Sequence, residues 1–493
     1  MRSTILFGGK AGQGPNVIAE IIGKILVNQG YYVFMSREYA SVIRGGHNYN
    51  LLTFSEEPTF SNDTEIDIII ALDENTINLH QKNLKKTGIL LKDHTENMFY
   101  AGALIKILNL ERKYLEAELK EMKNFETNLA SAKEGYSQAK EKLTFPKPKK
   151  SSRRFMSGSQ STAQGAIKSG LDLYFAYPMT PATPLLFELA PKQIEHNYFT
   201  LELENEIAVI NAAIGAAITG AKAMAGTSGG GFDLMTEALS FAGQAEVPLV
   251  LYNAQRPGPG TGVPTATAQG DLNMVRHSGH GDFPRIVLAP GDITECEELT
   301  SQCFYFSQKL KIPCILLTDK HLSESFFTSE DIPKITKSEK LATLKRYNSY
   351  EHDENGNVVE TPEAIEKEIT KRINKFSLVN KEISKFQQFK VFGKKTSKNI
   401  IISWGSNKGV ILDCIQDLDV KFIHITHLVP FAEGLEKELK DKNIIAIENN
   451  SHSHLAELIS ENTGLEINKH ILKYNGLPFY ANELKKEIKR ILK

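Results

Sequence analysis

The chain has 493 residues, 41% of them hydrophobic and 24% charged, with a formal net charge of -1. At about 150 residues per domain this allows about three domains. The near-neutral charge excludes a global field for nucleic acid or an anionic membrane, and no run reaches the roughly 18 apolar residues of a membrane span.

The opening, Met1 to Gly9, has one Arg and a short apolar run, without the longer core of a signal peptide. A cytoplasmic protein is expected. Cys296, Cys303, Cys314 and Cys414 form no C-x-x-C pair. They read as ordinary small buried residues, and no metal site is expected on this chain.

"STILFGG" reads as a strand that stops in glycine and "KAGQGP" as a tight loop. "NVIAEIIGKILVNQG" has apolar residues at helical spacing and ends in Gly30, and "YYVFMS" is a second strand. This unit predicts the first piece of a parallel sheet. "IDIIIAL" and "GILLKD" read as further strands, and a charged helical region follows from Gly102 to about Lys142. "FPKPKKSSRR" reads as a solvated linker over 146–155.

A second α/β pattern covers 156–330. "AQGAIKSGL" and "AVINAAIGAAITGA" read as helices; "LYFAYP", "AMAGTS", "VPLVLYNA", "PRIVLAP" and "IPCILLTD" read as strands. Residues 331–395 are polar and charged and read as an excursion or linker. "NIIISWGS", "KFIHITHL" and "NIIAIEN" then predict a third, small α/β domain over 396–493, after the first over 1–145.

Several stretches could carry chemistry. In "GGKAGQG", Gly12, Gln13 and Gly14 stand between a strand and a helix, where backbone N–H groups can approach a phosphate. The spacing is neither the dinucleotide nor the P-loop pattern, and a purely structural turn is the alternative. "SREYASVIRGGHN" brings Arg44 near glycine, which suits a phosphate or carboxylate. In "AYPMTPATP", Thr180 and Thr183 each precede a proline, which predicts an extended turn with both hydroxyls free for a cleft; the alternative is a threonine that caps the next helix.

Glu206 directly precedes the small-residue helix. A carboxylate in so apolar a place can share a proton with a heterocyclic nitrogen, or it is merely an acid favoured by the helix dipole. "GTSGGG" gives a second glycine turn, with Gly229 and Gly230. Arg256 follows a strand and opens a long Gly, Pro and Thr loop; it could hold a carboxylate in a bidentate pair.

"YPMTPATP", "ENEIAVINAAIGAA", "GTSGGGFDLMTEAL" and "QRPGPGTGVPTATAQGDL", in this order, resemble the pyrimidine-binding subunit of 2-oxoacid:ferredoxin oxidoreductases. "GGKAGQG" with "IRGGHN" resembles their gamma domain, and "HLVPF" with "IENN" their transketolase carboxyl-terminal-like domain. The resemblance covers nearly the whole chain and is to the fused gamma-alpha subunit of the 2-oxoglutarate branch, which "EHDENG" also fits. It implies three α/β domains: a gamma-type Rossmann-like domain, a thiamine diphosphate pyrimidine domain and a transketolase C-terminal-like domain.

The reaction it implies is oxidative decarboxylation of a 2-oxoacid to acyl-CoA and CO2, with electrons passed to ferredoxin. By resemblance Glu206 bonds the aminopyrimidine N1′ of thiamine diphosphate, with Tyr177, Pro178, Gly229 and Gly230 around the cofactor. Thr180, Thr183 and Arg256 hold the substrate, and Gly12, Gln13, Gly14 and Arg44 are candidates for coenzyme A. The chain lacks a GDG…N stretch and a cysteine cluster. The resemblance assigns Mg2+ and the [4Fe-4S] cluster to a separate beta subunit, and so implies a hetero-oligomer inactive without it. Pyruvate, branched-chain and aryl 2-oxoacids remain alternative substrates, and a non-catalytic scaffold or a thiamine enzyme without electron transfer are the alternative functions.

Overall fold

The computed structural model describes residues 2–40, 46–140, 143–146, 148–149, 151–346 and 348–493. They form two compact units: Met1–Met156 with Ser325–Asp331 and Phe479–Lys486, and Ser157–Glu324 with Ile332–Pro478 and Glu487–Lys493. Among the described residues no helix is long and apolar enough to cross a membrane.

The sheet of the first unit runs, in spatial order, Leu84–Leu91, Ile66–Ala71, Ser3–Lys10, His47–Ser55, Tyr32–Glu38, Phe326–Ser329 and Arg154–Ser157. Helix Pro15–Asn28 buries Ile18, Ile22 and Ile25 against Ile5, Phe7 and Leu52 of the sheet. It starts where Gly14 takes the left-handed conformation, φ 78°, which glycine adopts without Cβ strain.

The parallel start predicted from the sequence needs correction. Strands Ser3–Lys10 and Tyr32–Glu38 are not neighbours; His47–Ser55 lies between them, antiparallel to both. The connection from Glu38 to His47 is too short for the dozen or more residues that a parallel crossover needs, so the chain reverses. His47 stands opposite Lys10, so the start of its strand and the glycine turn after Lys10 share one edge of the sheet. The expected linker 146–155 ends as the edge strand Arg154–Ser157.

The second unit holds two sheets. One runs His427–Val429, Ile286–Leu288, Pro313–Asp319, Leu249–Gln255, Ala223–Thr227, Leu173–Ala176 and Phe199–Glu202. Its strands are parallel except the first, which pairs antiparallel with Ile286–Leu288. The other runs Phe389–Gly393, Lys421–Ile425, Asn399–Trp404, Asn443–Glu448 and Lys469–Leu472, with only the first antiparallel.

"KFIHITHL" therefore makes two strands. The break falls at Thr426, where the N–H groups of Thr426 and His427 both bond the carbonyl of Gln388. The chain then crosses from one sheet to the other.

The charged stretch 331–395, expected as an excursion or linker, carries regular structure. It contains helix Pro362–Ile383 and strand Phe389–Gly393. Three of its cations are ion-paired: Lys371 and Lys375 with Glu246, and Arg372 with Glu351. All four cysteines are buried, as the sequence suggests.

Candidate active site

In the parallel sheet of the second unit, ligand-binding groups belong at the carboxyl ends of the strands. Four strand ends deliver the residues picked out from the sequence. Leu173–Ala176 leads into Tyr177, Pro178 and Thr180; Phe199–Glu202 leads to Glu206; Ala223–Thr227 leads to Gly229 and Gly230; Leu249–Gln255 ends at Arg256.

Glu206 opens helix Glu206–Ile218. The helix starts there because the Asn205 side chain caps it, accepting from the Ala208 N–H at 2.9 Å. Val209, Ile210, Ala213 and Ala217 face the core, whereas Ile207, Asn211 and Gly215 face outward. Glu202 and Glu204 are exposed, but Glu206 is only 3% exposed. Its Oε1 is buried with no hydrogen-bond partner among the described residues, and the hydroxyls of Thr227 and Ser228 are in the same condition.

The "GTSGGG" turn becomes the start of a helix. Ser228 is the N-cap of helix Gly229–Gln244, with Gly229 at φ 30°. Gly231 is required by close approach: a Cβ there would lie 2.2 Å from Thr227 Oγ1 and 2.7 Å from Glu206 Oε1. The glycine run lets the helix N-terminus come up against the carboxylate.

Arg256 donates through Nη1 to the Thr180 carbonyl at 2.7 Å. Burial lowers its pKa, while the negative charges of Asp271 and Glu206 act in the opposite sense. Glu206, Thr180 and Arg256 thus meet at one edge of one sheet. Thr183 departs from its prediction: it is the first residue of helix Thr183–Leu189 and not part of an extended turn. The proline after it falls in the first helical turn, where no N–H is needed and no preceding carbonyl is struck. Thr183 does not cap the helix either; the N-cap position is Ala182.

A cavity of about 500 Å³ opens beside this edge, lined by Gly229, Gly230, Asp233, Arg256 and Asp271 on one side and Asn450, His452, His454 and Tyr474 on the other. A larger one of about 1010 Å³, lined by Arg285, Phe376 and Glu433, contains none of the residues picked out above. Of the two, the smaller cavity is the one lined by residues picked out from the sequence, Gly229, Gly230 and Arg256.

Its far wall is braced by Glu448, which accepts from Trp404 Nε1 at 3.0 Å, Asn450 Nδ2 at 2.9 Å and Ser453 Oγ at 2.8 Å. Gln269 fastens the Gly-Pro-Thr loop to that wall. Its Nε2 donates to the Trp404 carbonyl at 2.9 Å, and its Oε1 accepts from Asn407 Nδ2 at 2.7 Å and the Asn449 N–H at 2.9 Å.

In the first unit, Gln13 is committed to its own turn: Oε1 accepts from the Lys10 N–H at 2.7 Å and Nε2 donates to the Leu72 carbonyl at 3.0 Å. Gly12, at φ 90°, has open space where a Cβ would stand. Arg44 lies outside the described residues.

The whole chain aligns at 30% identity with 98% of the 2-oxoacid:ferredoxin oxidoreductase subunit alpha of Saccharolobus solfataricus. The chain belongs to the 2-oxoacid:ferredoxin oxidoreductase family. It is an alpha-type subunit of that enzyme class. Residues 164–396 match the family described as pyruvate flavodoxin/ferredoxin oxidoreductase, thiamine diphosphate-binding, and residues 4–96 the one described as pyruvate ferredoxin/flavodoxin oxidoreductase. The 2-oxoglutarate synthase subunit KorA of Methanocaldococcus jannaschii is 32% identical over 60% of this chain and 88% of its own. The fold matches the 2-oxoglutarate:ferredoxin oxidoreductase of Magnetococcus marinus, solved with 2-oxoglutarate, coenzyme A and succinyl-CoA bound, over the full length of both chains, at 24% identity and a TM-score of 0.88.

The thiamine-binding match covers every cavity residue up to Asp271, but not the far wall. Sequence reasoning missed that wall and Asp271, although "AQGDL" and "IENN" were both in view. Asp271 is the more informative omission. Its carboxylate accepts from Asn253 Nδ2 at 3.1 Å and its N–H donates to Gln255 Oε1 at 2.9 Å. Burial pushes its carboxyl up to about 6, against the opposing bond from Asn253.

Proposed function

We propose that this subunit serves the oxidative decarboxylation of a 2-oxoacid, 2-oxoglutarate before pyruvate, branched-chain or aryl acids. The acyl group passes to coenzyme A and the electrons leave through a [4Fe-4S] cluster to ferredoxin. The observation that carries this reading is the buried, partnerless Oε1 of Glu206. A carboxylate oxygen so placed needs a ligand donor, because an unpaired buried acceptor costs about 1–3 kcal/mol.

The residues present fit thiamine diphosphate. When bound, it supplies an acidic thiazolium carbon that serves as the nucleophile. Glu206 shares a proton with N1′ of its aminopyrimidine, and Tyr177, Pro178, Gly229 and Gly230 shape the space around the ring. Arg256 binds the substrate carboxylate, held in aim by its bond to Thr180, and the hydroxyls of Thr180 and Thr183 border the 2-oxo group. The diphosphate, its Mg2+ and the cluster fall to a separate beta subunit. Exposed Phe187, Phe199, Leu201 and Ile207, on the segments that flank Thr183 and Glu206 in sequence, support a partner surface. Gly12, Gln13, Gly14 and Arg44 are the coenzyme A candidates.

Anaerobic co-expression with the beta subunit tests the reading. Viologen reduction that needs coenzyme A and a 2-oxoacid, and collapses in Glu206→Gln, supports it. Full activity of Glu206→Gln removes the cofactor assignment.

A further inference from the structure

Asp271 is a titratable group of the cavity to which the reaction above gives no task. It sits at the N-terminus of helix Gly229–Gln244, bonded by Asn253, with its Oδ2 3.8 Å from the point where a Gly229 Cβ would stand. It lines the cavity together with Arg256. The other groups that face this space are Asp233 on the same helix, and His452, His454 and Tyr474 on the opposite wall. Glu206 adds its charge from the start of helix Glu206–Ile218, as its effect on Arg256 records. One guanidinium therefore faces three carboxyl groups before any substrate arrives.

A 2-oxoacid brings another negative charge. Some group must then give up charge, or binding is opposed by like-charge repulsion at low dielectric. Asp233 raises the proton affinity of Asp271, and Arg256 and the Asn253 bond lower it. The balance leaves Asp271 ionised at neutral pH but within reach of protonation. Binding an anion at Arg256 diverts the cation that holds Asp271 ionised. By linkage, proton uptake and anion binding then favour one another.

We propose that Asp271 is the charge-balancing residue of this site: ionised while the site is free, it neutralises Arg256, and it takes one proton from solvent when the substrate carboxylate binds there. The proton returns to solvent once that carboxylate has left as CO2. The inference rests on the function proposed above.

The test is the pH dependence of KM for 2-oxoglutarate in the assembled complex, for wild type, Asp271→Asn and His454→Asn. In wild type KM falls several-fold from pH 8 to pH 6. In Asp271→Asn it is flat and sits near the low-pH value of wild type, so the variant binds better at pH 8. His454→Asn keeps the wild-type slope. A merely structural role would give a higher KM in Asp271→Asn with the slope intact, and that result overturns the proposal. A slope lost in His454→Asn and kept in Asp271→Asn overturns it too.

Should Asp271→Asn fail to assemble, Asp233→Asn decides the question: the midpoint must move to lower pH, and an unmoved midpoint rejects the assignment. Wild-type complex that turns over no 2-oxoacid defeats the proposed reaction. The charge assignment is then read from the infrared carboxyl band, which must titrate near pH 6 in wild type and vanish in Asp271→Asn. A band unchanged in the variant overturns it.

Discussion

Arg256 Nη1 and the Thr180 carbonyl lie 2.7 Å apart, joining two turns that are 76 residues apart in sequence. A buried guanidinium tied to a backbone carbonyl keeps its remaining N–H groups in a fixed direction. Its fork geometry suits a carboxylate, whereas lysine carries only a point charge.

Arg256→Lys is therefore expected to raise KM for the 2-oxoacid by roughly ten- to hundredfold, the equivalent of about 1.4–2.8 kcal/mol, with kcat less affected. Steady-state kinetics of the assembled complex check this. An unchanged KM would remove Arg256 from the substrate site.

Gly231→Ala offers a sharper steric test. The added methyl would lie 2.2 Å from Thr227 Oγ1 and 2.7 Å from Glu206 Oε1. The Glu206 carboxylate, the Thr227 hydroxyl or the start of helix Gly229–Gln244 must shift to relieve the clash. The expected outcome is folded protein with thiamine diphosphate affinity reduced at least tenfold, read by cofactor titration. Wild-type affinity in this variant would place the cofactor elsewhere.

Much of this was legible in the sequence, for physical reasons. Short continuous apolar runs such as "IPCILLTD" fit buried strands, and glycine runs at strand ends fit turns or close approaches. Glu206, Thr180 and Arg256 each follow a strand, so a parallel sheet necessarily gathers them on one edge. What was hidden depends on long-range pairing. The placement of His47–Ser55 between two earlier strands leaves no local mark. Helix Pro362–Ile383 looked like solvated chain because its charges seek partners far away in sequence. Asp271 looked like one more polar loop residue, since its burial comes from Asn253 and the Gly229 turn.

The loop anchor at Gln269 is open to mutation. Gln269→Leu is nearly isosteric but strands the Trp404 carbonyl, the Asn407 amide and the Asn449 N–H, which its side chain now satisfies. At about 1–3 kcal/mol for each buried group left unpaired, a loss of several kcal/mol is expected. Denaturant unfolding should show it, along with weaker 2-oxoacid binding. A stable variant with unaltered KM would mean that the loop holds its place without this residue.

The last expectation concerns acid sensitivity. Glu246 is largely buried; burial alone would raise its pKa, but Lys375 and Lys371 outweigh that and hold it at about 2. Arg346 adds a third cation at 3.3 Å. A carboxylate depressed in the folded state stabilises it fully above the unfolded value of about 4.5 and loses that contribution as pH falls toward 2. At about 1.4 kcal/mol per unit, the contribution is on the order of 3 kcal/mol. Glu246→Gln should thus lower the melting temperature at pH 7 by several degrees and leave a shallower decline between pH 4.5 and pH 3. Scanning calorimetry of both proteins across that window measures the difference. Parallel curves, offset but equal in slope, would show that the cluster contributes through packing and not through charge.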